Sequence, residues 1–253
     1  MTRSPAAVRQ TIILAAGAGT RLSSANGVPK PLVMVGGVPL VSHALLHAAA
    51  CGCREAIIVI GHEGARVRAA VEATQPAIAV RFVENPDPTT PNGESLLVAA
   101  SSADETFFLQ MVDHLFAEPV LTRLVSTPLD DQTVGRVLAD RAPVNLDLSD
   151  ATRVRLLGDR VTAIGKNLEP WDAIDAGCFV LTPAVFDALR AVSSREARTV
   201  SSAMRRLVER RALAVEEIRG IRWIDVDTPA DLAEAERLVG ASTPGIAREA
   251  WRR

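Results

Sequence analysis

The chain has 253 residues, about half of them apolar, and a formal net charge of -2. That is a globular composition with room for one full core, and it carries no basic footprint for nucleic acid or an anionic membrane. No apolar run reaches the ~20 residues of a membrane span, and Met1 to Thr11 lacks the apolar stretch of a secretory signal, so a cytoplasmic location is expected.

In chain order, Thr11 to Ala16 (TIILAA) is a short apolar run that ends in Gly17-Ala18-Gly19. It predicts a buried parallel strand feeding a glycine loop. Pro39 to Ala50 predicts a helix, and Glu55 to Ile60 (EAIIVI), closed by Gly61, a second buried strand. Glu63 to Thr74 reads as an Arg-rich amphipathic helix, Ile78 to Val83 as a third strand, Gly93 to Ser101 as a helix, and Glu105 to Val112 as a fourth strand running into Asp113. Alternation of this kind predicts an α/β, doubly wound, mainly parallel sheet, with ligands at the carboxyl ends of its strands.

Beyond residue 115 the pattern changes. Thr152 to Leu157, Arg160 to Gly165 and Ala176 to Leu181 predict short antiparallel strands, and Pro183 to Val192 and Val200 to Arg211 helices. A last strand is expected over Arg222 to Val226. A helix then starts at the cap Thr228-Pro229, and Gly240 is expected to end it. The chain is thus expected to form a single domain over 1–240, in two parts (1–115 and 116–240), with a tail over 241–253.

Three cysteines, Cys51, Cys53 and Cys178, are too few and too irregular for a disulfide framework. Among 28 basic residues only Lys30 and Lys166 are lysine. Where arginine supplies almost every cation, a retained lysine points to a task for a compact ammonium. Lys30 lies in Pro29-Lys30-Pro31-Leu32, downstream of Leu14-Ala15-Ala16-Gly17-Ala18-Gly19-Thr20-Arg21-Leu22. A glycine turn after a strand lets backbone N–H groups approach phosphate oxygens, and Arg21 and Lys30 add charge around a polyphosphate. A dinucleotide fingerprint would need a third glycine where Leu22 stands.

The combination LAAGAGTRL…PKPL resembles the signature of the sugar-phosphate nucleotidyltransferases. Further segments extend the likeness over nearly the whole chain: Asn92 to Leu97, Met111 to His114, Ile164 to Leu168, Asp175 to Leu181 and Trp223 to Thr228. They look most like CTP:inositol-1-phosphate cytidylyltransferases, and also like the cytidylyltransferase domain that acts on 2-hydroxyethylphosphonate in phosphonate-antibiotic pathways. The resemblance implies a Rossmann-like nucleotidyltransferase fold and transfer of CMP from CTP to a small phosphate or phosphonate acceptor, with pyrophosphate leaving. It implies a Mg²⁺ cofactor on Asp113 and on Asp225 or Asp227. Strand alternation is expected to turn one of the latter two toward the site and the other away.

By the same resemblance, Arg21, Lys30 and Lys166 carry catalysis. Leu14, Ala15, Ala16, Gly17, Gly19, Thr20, Glu84, Asn92, Gly93 and Ser95 hold the nucleotide, with Ser95 also capping its helix. Lys166, Asp175 and Gly177 face the acceptor. His114 gets no general-base role, because an ionised acceptor phosphate needs none. Ser23 to Val28 is the expected flap over the nucleotide. Two departures stand out: Val112 occupies the position where the family commonly has glycine before the metal aspartate, and tyrosine is absent. Two alternatives remain at this level, a hexose-1-phosphate nucleotidyltransferase using UTP, dTTP or GTP, and a non-catalytic nucleotide-binding module. A fused second enzyme domain beyond the tail and a homodimer are both compatible with the sequence.

Overall fold

Ile12 and Leu14 point to one face of the first strand and Ile13 and Ala15 to the other, and all four are buried. That strand, β1 (Gln10–Ala15), therefore lies inside a sheet covered on both sides. The computed structural model describes residues 8–23, 27–130, 132–144, 148–194 and 196–241.

After β1 come α1 (Thr20–Ser23), a hairpin of β2 (Met34–Val35) and β3 (Val38–Pro39), α2 (Leu40–Ala50), β4 (Glu55–Ile60), α3 (Gly64–Ala73), β5 (Ala79–Glu84) and α4 (Asn92–Val98). They are followed by β6 (Phe107–Met111), β7 (His114–Phe116), β8 (Gly135–Asp140), β9 (Arg153–Leu157), β10 (Arg160–Gly165) and β11 (Ala173–Leu181). The described chain ends with α5 (Ala184–Arg190), α6 (Val200–Glu209), β12 (Leu213–Ile218), β13 (Trp223–Asp225) and α7 (Pro229–Ala241). Nine strands form one sheet in the order β5-β4-β1-β6-β11-β8-β12-β10-β9. The first four are mutually parallel, and β12 is parallel to β8. β11 runs antiparallel to both of its main neighbours, β6 and β8, and β10 and β9 complete an antiparallel flank.

One face packs Leu96 of α4, Phe186 of α5 and Met204 and Leu207 of α6 against the sheet. The other packs Val41 and Leu45 of α2 and Val67 and Val71 of α3. A buried polar chain crosses the second interface. His47 Nδ1 donates to Gln110 Oε1 (2.8 Å), Gln110 Nε2 donates to Thr11 Oγ1 (2.9 Å), and Val120 N–H donates to His47 Nε2 (3.0 Å). Because Nε2 accepts, the proton of a neutral ring sits on Nδ1.

The expected α/β sheet with an antiparallel portion is what forms, and the two parts of the chain share it, since β6 pairs with β11. The expected strand starting at Ala176 begins three residues earlier, at Ala173. Strands β8 and β12 and the β2–β3 hairpin had no counterpart in the sequence reading. The last helix does not stop at Gly240 but continues to Ala241. Ser95 does not cap α4: it lies inside the helix, and its hydroxyl accepts from Asn85 Nδ2 (3.0 Å). The three cysteines are free and buried. The central residues of the expected flap (24–26) and nearly all of the tail (242–253) lie outside the described residues. Among the described residues, no helix is long and apolar enough to cross a membrane.

Candidate active site

The carboxyl ends of the neighbouring strands β1 and β6 open onto a single cleft of about 710 Å³. β1 delivers Leu14, Ala15, Ala16 and Gly17 to its wall, and the loop behind delivers Gly19. Gly19 has φ +56°, and a Cβ there would stand 2.4 Å from Lys30 Cβ. The glycine thus serves two needs at once, a left-handed backbone and room for the lysine stem.

Lys30 is buried. Its ammonium donates to Asp113 Oδ2 (2.6 Å) and also to Asp227 Oδ1. Burial alone would lower the ammonium's pKa, but Asp113, Asp225 and Asp227 outweigh it and hold the group above the ordinary lysine value. Asp113 is the reciprocal case. Burial opposes its charge, yet Lys30 and His114 keep the carboxyl well below the usual range. Arg21 Nη2 takes the other oxygen of Asp227 (2.7 Å).

His114 directs Nδ1 at Asp113 Oδ1 (2.8 Å) and stacks on Trp223 with ring centroids 5.7 Å apart. Burial would lower its pKa, but Asp225, Asp113 and Asp175 raise it to about 9, so the ring is a buried cation. Gly177, at φ +69°, lies against its edge. Asp175 Oδ1 accepts from Gly177 N–H (2.9 Å), and burial raises that carboxyl to about 6 despite this bond and the nearby His114. Lys166 ion-pairs with Asp150 Oδ1, while Asp150 Oδ2 lies 3.4 Å from Arg21 Nη2.

The expected residues fall into two groups. Leu14, Ala15, Ala16, Gly17, Gly19, Arg21, Lys30, Asn92, Ser95, Asp113, Lys166, Asp175, Gly177, Asp225 and Asp227 all line the cleft. Thr20, Glu84 and Gly93 do not. Glu84 is exposed at the end of β5. Gly93 is a packing glycine, since a Cβ there would come within 2.4 Å of Arg198 O. Asn92 already spends its side-chain oxygen on Val200 N–H (2.9 Å), tying α4 to the start of α6. Asp225 and Asp227 both face the cleft, contrary to the expected split. Positions two apart share a face of a strand, and β13 ends at Asp225 in any case. Asp150, which no motif marks, and the ring pair His114–Trp223 were not anticipated as parts of the site.

One oxygen of Asp113, one of Asp225 and a ring nitrogen of His114 lie within 4.8 Å of one another. Asp225 Oδ1 is buried without a hydrogen-bond partner, an arrangement that costs free energy unless a cation completes it. Burial and the neighbouring Asp113 raise the Asp225 carboxyl to about 6, against the pull of His114 and Lys30. Two carboxylates are hard oxygen donors that fit Mg²⁺. His114 lies against both carboxylates, with Nδ1 on Asp113 Oδ1. Asp227 is engaged by Arg21 and by Lys30, which also holds Asp113, and is not one of the three groups of that cluster.

A glycine loop at a strand end, with lysine, arginine and carboxylates converging beyond it, is the arrangement of a phosphate-binding site in an α/β protein. The chain belongs to the MobA-like NTP transferase domain family, whose profile matches residues 11–211. It is 38% identical over 229 residues to the bifunctional IPC transferase and DIPP synthase of Rubrobacter xylanophilus, covering 90% of this chain and 51% of that protein. It is 36% identical over 121 residues to the CMP-5'-(3-aminopropyl)phosphonate synthase of Streptomyces rubellomurinus, covering 47% of this chain and 19% of that protein. Among solved structures, the inositol-1-phosphate CTP transferase of T. maritima superposes with a TM-score of 0.85 at 25% identity, covering 96% of this chain and all of that one. The chain spans about half the length of the bifunctional curated relatives it matches.

Proposed function

We propose that this chain transfers CMP from CTP to a small acceptor bearing a terminal phosphate or phosphonate, of the inositol-1-phosphate or 2-hydroxyethylphosphonate class, and releases pyrophosphate. The observation that carries the reading is the buried Lys30 ammonium held between Asp113 and Asp227 directly below the glycine loop. The relatives' names support the choice of base and acceptor class.

The obstacle in such a transfer is the meeting of two polyanions, so charge neutralisation and alignment supply most of the catalysis. An oxygen of the acceptor attacks the α-phosphorus, and the bond to the leaving pyrophosphate breaks in line with it. Main-chain N–H groups of the loop from Gly17 to Gly19 cradle the phosphates. Arg21 and Lys30 hold charge against the pyrophosphate and the transferring phosphoryl group. Lys166 and the wall formed by Asp175 and Gly177 receive the acceptor. The attacking oxygen is already ionised, so no side chain has to remove a proton. Asp113 and Asp225 would hold Mg²⁺, which when bound neutralises phosphate charge and orients the α-phosphate.

The test is pyrophosphate release with Mg²⁺ and each of CTP, UTP, dTTP and GTP, against inositol-1-phosphate, 2-hydroxyethylphosphonate, phosphocholine and glucose-1-phosphate. Release with CTP and either of the first two is the expected result. Release confined to UTP, dTTP or GTP with glucose-1-phosphate would replace it with a hexose-1-phosphate reading. Nucleotide binding without release on any acceptor would count for a non-catalytic module.

A further inference from the structure

Arg21 and Lys166 stand on opposite banks of the cleft, Arg21 on α1 behind the glycine loop and Lys166 just past the end of β10. One carboxylate joins them. Asp150 gives Oδ1 to Lys166 and Oδ2 to Arg21. Two oxygens of one tetrahedral phosphoryl group would meet the same two cations. Asp150 belongs to no strand or helix, so no ladder of backbone bonds holds it in this position. All three side chains are about half exposed, and exposed pairs of this kind are individually weak.

We propose that Asp150 is an autoinhibitory residue: an internal anion that occupies the acceptor's phosphoryl position in the free protein and must be displaced by it, so that every anion entering there binds more weakly than the two cations alone would allow. This rests on Lys166 facing the acceptor and Arg21 the transferring phosphoryl group, as in the function proposed above. The displacement costs the same whatever enters. A phosphodiester brings one negative charge to the two cations, and a phosphate monoester or phosphonate brings nearly two and meets that cost more readily. Because the displaced pairs are exposed, the barrier is small enough for a true acceptor to cross. It still weighs on a weak binder.

The test uses binding alone and needs no turnover, so it stands whether or not CMP transfer is the activity. Ethyl phosphate and diethyl phosphate are titrated calorimetrically into the whole chain and into Asp150→Asn, with the nucleotide site filled by a non-transferable CTP analogue. The working pH is about 8, above the second phosphate pKa of about 6. Wild type should prefer ethyl phosphate. Asp150→Asn should bind both probes more tightly, each by about three- to tenfold, with the preference between them little changed. Weaker or unchanged binding of both probes by Asp150→Asn overturns the proposal, because a purely structural Asp150 would give that result. It is overturned equally if ethyl phosphate binds neither protein, or if only one of the two probes binds more tightly to the variant. Lys166→Gln should lose affinity for ethyl phosphate, opposite in sign to Asp150→Asn.

Discussion

Gly177 and His114 touch with no room to spare: a Cβ on Gly177 would lie 2.4 Å from His114 Cδ2 and 2.5 Å from Nε2. The imidazole cannot yield easily, because Trp223 stacks against it and Asp113 holds Nδ1. Gly177→Ala therefore combines a left-handed φ with a side-chain collision. It should destabilise the protein by about 2–4 kcal/mol and cut turnover, since relief requires moving the ring that backs Asp113. Denaturant unfolding and initial rates of pyrophosphate release measure the two effects. A variant with normal turnover would mean that the ring position is irrelevant to the reaction.

Lys30→Ala removes the ammonium between Asp113 and Asp227 and the charge it would place on the phosphates. Turnover should fall by about 10³-fold or more, with the far-ultraviolet circular dichroism of the fold retained. Lys30→Arg should rescue poorly, because the stem is pressed against Gly19 and a planar guanidinium does not fit the pocket of a point charge.

Asp225 and Asp227 should separate under metal titration. Asp225→Asn removes one of the two carboxylates that approach each other and should weaken Mg²⁺ or Mn²⁺ binding by about tenfold or more. Asp227→Asn should leave metal affinity within about threefold of wild type and act instead on nucleotide binding, through Arg21 and Lys30. Equal losses of metal affinity in both variants would show that the two carboxylates act as one site. Chelator should abolish turnover, and added Mg²⁺ should restore it.

His47 sets a pH dependence away from the cleft. Burial lowers its pKa from 6.5 to about 4, against the pull of Gln110, and a second proton would break the Val120 bond to Nε2. Between these values the unfolded chain binds more protons than the folded one. Its contribution to stability is therefore complete above pH 6.5 and is lost as pH falls toward 4, by about 2–3 kcal/mol. His47→Gln should be less stable than wild type at neutral pH, and the gap should narrow steadily on acidification. A gap independent of pH would show that the ring does not titrate in this interval.

What the sequence disclosed and what it hid differ in a physical way. β1 and β4 are buried on both faces and announce themselves as unbroken apolar runs closed by glycine, so their limits were nearly right from the residues alone. β8 and β12 are equally central but carry Arg136, Asp140, Glu216 and Glu217, which interrupt any apolar run. Arg136 is buried because Leu124 O and Thr127 O accept its guanidinium, and Asp140 because it accepts from Trp223 Nε1 (2.9 Å). Partners 9 to 83 positions away leave no local signal. The same holds in the site. Lys30 and Arg21 stand beside a glycine loop whose residue types point to a phosphate site, whereas Asp113 is marked only by the family resemblance. Asp150 sits in an irregular stretch, and its meaning comes from Arg21, 129 positions earlier, and Lys166, 16 positions later.

The small ladder of β7 with β13 pairs His114 with Asp225 and Phe116 with Trp223. During synthesis on the ribosome, the glycine loop, Lys30 and Asp113 emerge long before the strand that brings Asp225 and Asp227. Until that strand docks, Lys30 has Asp113 but not Asp227, and Asp113 has no facing carboxylate. A nascent chain can thus present a phosphate-binding loop without a finished reaction centre. The carboxylate set around Lys30 is complete only once β13 and the residues after it have docked on β7.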